Sequence, residues 1–160
     1  MKKIFSLILA GILSVMALTG CGSDPLEDEL KNFINVEMAE PNANYVAITT
    51  EAAKWGELES NEAVLSSIND VLIPKCDETL DILSKVQPEA EELKELKDKY
   101  IKVFELYKEG FGLMLEVIDT GDEAKASEVQ VKIEEGIATL NEYNAGLEAL
   151  AAEKGLKIEY

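Results

Sequence analysis

Cys21 and Cys76 carry the strongest nucleophiles in this chain of 160 residues. A cysteine reacts or binds metal as the thiolate, which neighbouring basic groups favour and neighbouring carboxylates oppose. Asp77 and Glu78 follow Cys76 directly, and the side chain of Lys75 projects about 100° away from it around a helix. The pattern therefore predicts that Cys76 acts as a small buried hydrophobic residue, with mixed-disulfide pairing to another protein as the alternative.

Cys21 ends the segment Leu18-Thr19-Gly20-Cys21, which resembles the lipobox of bacterial lipoproteins at all four positions. Two lysines precede an apolar stretch of about fifteen residues, which is shorter than the roughly twenty that cross a bilayer. The resemblance implies a signal peptide over residues 1–20 and a diacylglyceryl group, with fatty acids such as palmitate, on the sulfur of Cys21. An ordinary cleaved signal and an uncleaved anchor are the alternatives.

The chain contains no histidine, which excludes catalytic and metal sites that depend on an imidazole side chain. Triads that use histidine, zinc or di-iron sites with imidazole ligands, and haem bound by imidazole all require that residue. Carboxylates crowd the predicted turn at 119–123, but they lack the alternating ligands of a calcium loop. The carboxylates at 89–95 and 134–135 have the spacing of solvated helix faces. We therefore expect no metal, no cofactor and no enzymatic activity; the alternative that the sequence leaves open is an enzyme that uses a pair of carboxylates, although nothing in the sequence places two of them across a cleft.

The charge of the chain narrows the choice of partners. The formal net charge is −17, and every basic residue is a lysine. Removal of residues 1–20 takes away two lysines and no acidic residue, which makes the charge two units more negative. Such a protein repels nucleic acid and anionic phospholipid, and without arginine it lacks bidentate binding of phosphate groups. We expect no nucleic-acid partner and a domain that its lipid holds near the membrane.

Helix start and stop signals recur along the chain after Cys21. Capping side chains and first-turn prolines mark helix starts, and a glycine suits the position just after a helix. The predicted starts are Asp24-Pro25, Ser60 or Asn61, Pro88, and Asp122. The predicted stops are Gly56, Gly121 and Gly155.

Between these signals, apolar residues recur at steps of three and four, as on one face of a helix. Pro41 and Pro74 fall inside two of the four segments and should kink or interrupt them. Four amphipathic helices with short connections favour an antiparallel up-down-up-down four-helix bundle. The length of residues 21–160 suits a single domain of this kind.

Aromatic residues and glycines inside the predicted helices offer the candidates for a ligand site. A helical glycine costs about 1 kcal/mol relative to alanine, so Gly110, Gly112, Gly136 and Gly146 indicate either close helix packing or a ligand slot. Aromatic residues at helical spacing usually form core, but kinked helices open gaps that aromatic side chains can line. The candidate pocket comprises Tyr45, Trp55, Tyr100, Tyr107, Phe111 and Met114.

The sequence favours a non-enzymatic binding or interaction module that lipid on Cys21 anchors to the outer face of a bacterial cytoplasmic membrane. In organisation the chain resembles small uncharacterised helical-bundle lipoproteins of Gram-positive type, which implies that location. The expected partners are the membrane, through the lipid, and an envelope protein or cell-wall polymer. The alternative is a small-molecule sensor or carrier that uses the aromatic pocket between the helices.

Overall fold

The computed structural model describes residues 24–58 and 60–158, and that part of the chain is all-helical. The predicted signal peptide and the lipobox lie outside the described residues. No described helix is long and apolar enough to cross a bilayer. The α-helices of this part of the chain are α1 (Pro25–Asn32), α2 (Ala39–Ala53), α3 (Asn61–Ser67), α4 (Ile73–Lys85), α5 (Glu91–Thr120) and α6 (Glu123–Glu153).

Two π-helical turns, Phe33–Glu37 and Ile68–Leu72, connect α1 to α2 and α3 to α4. Each turn comes a few residues before a proline, because Pro41 lies in the first turn of α2 and Pro74 in the first turn of α4. Proline has no N–H and its ring clashes with the carbonyl four residues earlier. A π-helical turn uses a step of five residues and so relaxes that clash. The predicted interruptions therefore occur as π-helical turns on the N-terminal side of each proline.

Most helix ends follow the local signals in the sequence. The side chains of Asp24, Ser60 and Asp122 each accept a backbone N–H bond in the following turn, at 3.0, 3.2 and 2.9 Å. Gly121 and Gly155 follow α5 and α6 with φ angles of 71° and 70°. This left-handed conformation strains residues that carry a Cβ but not glycine. The predicted caps and stops at these five residues are confirmed.

The start of α5 differs from the prediction at Pro88. The helix begins at Glu91, and Pro88 is buried in the connection before it. The cap position belongs to Ala90, which has no side-chain oxygen to accept a bond. Glu29 of α1 supplies the cap instead, because its carboxylate accepts hydrogen bonds from the backbone N–H groups of Glu89 and Ala90 at 2.5 and 3.2 Å. The cap is about sixty residues away along the chain, beyond the reach of any local pattern.

α5 and α6 lie side by side along their length. Ion pairs join residues early in α5 to residues late in α6. From the start of α5 to its end, the pairs are Lys99 with Glu142 at 3.7 Å, Glu109 with Lys132 at 2.7 Å, and Glu116 with Lys125. Such exposed pairs each contribute little stability. They indicate how the two helices align, but they are not the main source of the packing energy between them.

The core is one apolar cluster to which all six helices contribute. Leu156 of the predicted C-terminal tail is buried in it and Ile158 packs against it, whereas Tyr160 lies outside the described residues. Aromatic rings are the largest side chains at its centre. Those that are less than 2% exposed are Tyr45, Tyr100, Tyr107, Tyr143, Phe33, Phe104 and Phe111.

Candidate functional site

The side chains of the candidate aromatic pocket lie in the core. Each is at most 3% exposed, and all belong to the single apolar cluster. They come from α2, from the 3₁₀ turn Lys54–Gly56 that follows it, and from α5. The set is Tyr45, Trp55, Tyr100, Tyr107, Phe111 and Met114.

Tyr100 is surrounded by ring contacts and also has a hydrogen-bond partner. Its ring stacks on Tyr143 of α6 with centroids 4.5 Å apart and meets Phe104 edge-on at 5.1 Å. Both separations are typical of stabilising aromatic pairs. The hydroxyl donates to Oδ1 of Asn42 at 2.9 Å. Tyr100 therefore fills core space and satisfies its polar atom within the protein.

Rings of the remaining aromatic residues in the set also contact one another. Tyr45 of α2 stacks on Tyr107 with centroids 6.3 Å apart, and Trp55 meets Phe111 edge-on at 6.1 Å. Tyr107 and Phe111 adjoin along α5 at 6.2 Å. The candidate pocket residues thus pack as neighbours between α2 and α5, and each of these four rings contacts another ring of the core.

A hydrogen-bonded chain leads from this core to the surface. Nε1 of Trp55 donates to Oγ of Ser67, and that hydroxyl donates to the carboxylate of Glu51, both at 2.9 Å. Bonds from Lys54 and Ser67 hold the pKa of the Glu51 carboxyl below its usual value, so the carboxylate form is favoured. The pattern of apolar residues gave no signal for Ser67, because serine does not mark a core position.

Nδ2 of Asn44 and the hydroxyl of Tyr107 are core polar atoms with no described partner at hydrogen-bond distance, although the Tyr107 hydroxyl lies close enough to that of Tyr45 to interact with it. Asn44 is 4% exposed and Tyr107 is fully buried. A buried polar group without a partner costs about 1–3 kcal/mol. Burial also raises the pKa of Tyr107 far above its usual range, so its hydroxyl keeps its proton. These two atoms are the part of the core that apolar packing does not explain.

Three of the four helical glycines singled out in the sequence lie close to side chains of the facing helix. A Cβ at Gly136 would lie 2.5 Å from Cε1 of Tyr107, and a Cβ at Gly146 would lie 2.8 Å from Cδ2 of Leu96. A Cβ at Gly112, in contrast, would meet nothing within 4 Å. Close packing of α5 on α6 therefore explains Gly136, which accommodates the ring of Tyr107.

Cys76 is a fully buried free cysteine on α4, as the apolar pattern predicted. Burial raises the pKa of its thiol from 9.0 to about 12, and the neighbouring Asp77 acts in the same direction. Lys108 opposes this shift but does not cancel it. The thiol is therefore protonated at neutral pH and shielded from reagents.

The acidic residues form surface pairs rather than a cluster of ligands. Among the described residues, no group of three or more cysteine, aspartate or glutamate side chains could hold a metal ion. The carboxylate of Glu95 has the spacing to pair with Lys99 one turn later, but Lys99 contacts Glu142 of α6 instead. The charges therefore follow the alignment of α5 and α6.

Comparison with known proteins adds no assignment of function. No protein-family model matches the chain, and neither a curated protein nor a solved structure matches it. The assignment of function therefore depends on the residues and contacts of this chain.

Proposed function

We propose that the protein is a lipid-anchored, non-enzymatic binding module on the extracytoplasmic face of a bacterial cytoplasmic membrane. The lipobox that ends at Cys21 supplies the anchor. α1 begins at Pro25 with its cap at Asp24, so only two residues separate the lipid-bearing cysteine from the folded body. The anchor therefore holds the start of α1 close to the outer surface of the membrane.

The body is an antiparallel up-down-up-down four-helix bundle, in which α1 with α2 and α3 with α4 each form one long helix. The order of contacts between helices supports this topology. Lys108 of α5 pairs with Asp77 of α4. Lys97, which is earlier in α5, donates to the carbonyl of Val86, which follows the end of α4, at 3.2 Å. α4 and α5 therefore align in opposite directions, as do α5 and α6 through their ion pairs.

The ends of the helices support the same topology. Glu29 near the start of α1 caps the start of α5, and Asp24 pairs with Lys154 after α6 at 3.0 Å. In an up-down-up-down bundle the first and third helices start at the same end as the fourth helix finishes. This end of the bundle also carries the lipid in the proposed arrangement.

The ring contacts of the aromatic core are the observation that favours a binding module over a carrier. The rings that would line an internal pocket instead pack against one another at 6.1–6.3 Å between centroids, and Tyr100 packs against Phe104 and Tyr143 at 5.1 and 4.5 Å. Apolar pockets for drug-sized ligands need about 300–1,000 Å³ of open space. A core filled by its own rings directs binding to the outer surface of the helices, where an envelope protein or a cell-wall polymer would bind.

A small-molecule carrier is the second candidate, because Asn44 and Tyr107 each have a polar atom inside the core without a described partner at hydrogen-bond distance. A ligand with complementary polar groups would satisfy both atoms. The two candidates make opposite predictions about what the purified protein contains.

Native mass spectrometry of the protein, exported by a bacterial host and purified gently, separates the two. The binding-module proposal predicts a protein mass with no non-covalent small-molecule adduct. A reproducible adduct that disappears from the variant Tyr107→Phe would overturn it in favour of the carrier. The variant Val131→Thr, at an exposed position of α6, is the matched control and should leave the spectrum unchanged.

A further inference from the structure

The start of α5 and the end of α6 enclose a groove of about 220 Å³, which we call the α5–α6 groove. Its floor is apolar, because Leu96 and Leu150 line it and are 5% and 7% exposed. Gly146 and Ala149 also line it, and neither adds a side chain larger than a methyl group. The groove is smaller than a typical pocket for a drug-sized ligand and has the size for a single long side chain.

The rim of the α5–α6 groove carries an excess of negative charge. Three carboxylates line it, on Glu92, Glu95 and Glu153. The basic residue in the lining is Lys99, and its ammonium already contacts Glu142 at 3.7 Å. Glu92 and Glu95 form no ion pair with any residue that the structure describes. Glu153 pairs with Lys154 at 3.5 Å, so the groove combines an apolar floor with two carboxylates, on Glu92 and Glu95, that lack a cationic partner among the described residues.

We propose that the α5–α6 groove binds a lysine side chain of a partner protein. The inference rests on the proposed function, because it gives the binding module its contact site. A lysine side chain places its aliphatic stem on apolar surface while its ammonium stays near carboxylates or water. The ammonium is a compact charge with three rotatable donors, whereas the guanidinium of arginine is planar and broader. The lining of the groove offers both kinds of contact over the length of one such side chain.

The position of the groove indicates where the partner lysine lies. Glu153 on its rim adjoins Lys154, which pairs with Asp24 at the start of α1. The groove is therefore at the end of the molecule that carries the lipid in the proposed arrangement. A lysine in the juxtamembrane segment of another extracytoplasmic or integral membrane protein would lie at the same distance from the membrane surface. The partner is thus basic and close to the outer surface of the membrane.

The test is an NMR titration of the isotope-labelled, full-length exported protein with the tripeptide acetyl-Gly-Lys-Gly-amide. The matched probe acetyl-Gly-norleucine-Gly-amide keeps the aliphatic stem and lacks the charge. We expect saturable shifts of the amide signals of Leu96, Ala149 and Leu150 with the lysine peptide. Loss of the charge-assisted bonds should weaken the norleucine peptide by about tenfold or more. Equal binding of the two peptides, or no shifts at these residues, would overturn the proposal.

Variants of the groove test its location. Glu95→Gln combined with Glu153→Gln removes two rim charges, and Ala149→Phe fills the groove from an exposed position. Each should raise the Kd of the lysine peptide by about fivefold or more. Glu148→Gln, which removes one charge, and Ala145→Phe, which adds the same ring, lie at exposed positions of α6 outside the groove and should leave the Kd unchanged. Equal effects of groove and control variants would overturn the location.

Two further measurements, n-pentylamine binding and the amount of protein in the membrane fraction, separate the remaining outcomes of the test. Binding of n-pentylamine without binding of the lysine peptide would mean that the groove accepts a free amine and not a protein side chain, which overturns the proposal. Peptide binding that fails while the protein stays in the membrane fraction would overturn the groove alone. A protein that binds the peptide but is absent from the membrane fraction would instead overturn the proposed anchoring.

Discussion

Tyr100 and Tyr107 lie about two turns apart on α5, and their buried hydroxyl groups differ in hydrogen bonding. The Tyr100 hydroxyl donates to Asn42, whereas the Tyr107 hydroxyl has no described partner at hydrogen-bond distance and interacts more weakly with the hydroxyl of Tyr45. Removal of a hydrogen-bonded hydroxyl costs about 0.5–1.5 kcal/mol, while removal of an unpaired one is neutral or stabilising. We expect Tyr100→Phe to lower the free energy of unfolding by about 1 kcal/mol and Tyr107→Phe to leave it unchanged or raise it. Urea denaturation measures both, and a large loss in Tyr107→Phe would reveal a partner for that hydroxyl.

Gly136 and Gly112 form a second matched pair at the residue scale. The ring of Tyr107 lies against Gly136 and has Tyr45 stacked on it, so it cannot move away from an added methyl group. Overpacking of this kind costs about 1–3 kcal/mol, more than the gain in helix propensity of about 1 kcal/mol. We expect Gly136→Ala to lower the free energy of unfolding by about 1–2 kcal/mol.

Gly112→Ala is the control, because its Cβ meets no atom within 4 Å. It should gain about 0.5–1 kcal/mol from helix propensity alone. Thermal unfolding of the two variants side by side checks the pair. Stabilisation by both substitutions would contradict the close approach of Tyr107 to α6.

Cys76 makes the stability of the fold sensitive to alkaline pH. Its thiol has a pKa of about 12 in the folded protein against 9.0 as a free group, because it is buried. Between these values the unfolded thiol has lost its proton and the folded thiol has not, so stability falls as pH rises from 9 towards 12 and is fully present below 9. Burial also raises the pKa values of Tyr45, Tyr100, Tyr107 and Tyr143, which act in the same direction at higher pH.

The variant Cys76→Ala isolates the contribution of the thiol. Between pH 9 and 10 the wild-type protein should lose stability more steeply than the variant, by up to about 1.4 kcal/mol per pH unit. Urea denaturation at pH 8, 9 and 10 gives both slopes. The slopes matter here and not the absolute stabilities, because the variant also leaves a small cavity. Parallel slopes would contradict a buried, protonated thiol.

At the scale of helices, the cap that Glu29 provides ties α1 to the start of α5. Loss of a capping side chain costs about 0.5–2 kcal/mol, so Glu29→Ala should lower the free energy of unfolding by that amount. Glu29→Gln keeps an acceptor oxygen and should lose less. Glu148→Ala replaces an exposed glutamate on α6 and should change stability by less than about 0.5 kcal/mol. A loss in Glu29→Ala no larger than in this control would contradict the cap.

The contrast between Asp122 and Glu29 shows which part of the helical architecture the sequence predicts. Asp122 caps its own helix two residues away, and Gly121 ends the helix before it, so a local pattern identifies both. Glu29 caps a helix that begins far along the chain, and no local pattern carries that information. The π-helical turns before Pro41 and Pro74 are intermediate, because the prolines predict an interruption but not its form.

In the candidate site, too, the sequence predicts the features that depend on neighbouring residues but not those that depend on contacts between helices. The spacing of Tyr100 and Tyr107 on one face of α5 predicts that both point inward, which the structure confirms. Whether inward-facing rings meet each other or line an open space depends on the distance between helices, which spacing does not encode. The α5–α6 groove escaped prediction for this reason, since its lining comes from two helices and its floor requires Gly146 to lie opposite Leu96.

At the scale of the whole molecule, charge and anchor act together in the proposed function. The chain carries a net charge of −17, which opposes contact between the domain and an anionic lipid surface. A lipid on Cys21 would hold the domain at the membrane in spite of that repulsion, because buried acyl chains contribute about 0.8 kcal/mol per methylene. The short tether would then hold one end of the bundle close to the membrane without the domain lying on the lipid, and its acidic helix faces would be open to basic partners.

The most direct test of this account is the intact mass of the protein recovered from the membrane fraction of a bacterial host. The variant Cys21→Ser removes the acceptor sulfur, and Cys76→Ala is the control that removes the other cysteine. We predict that the wild-type protein and Cys76→Ala have the mass of residues 21–160 plus a diacylglyceryl group, and that Cys21→Ser carries no lipid and retains residues 1–20. A wild-type protein without lipid, or one that retains residues 1–20, would contradict the account.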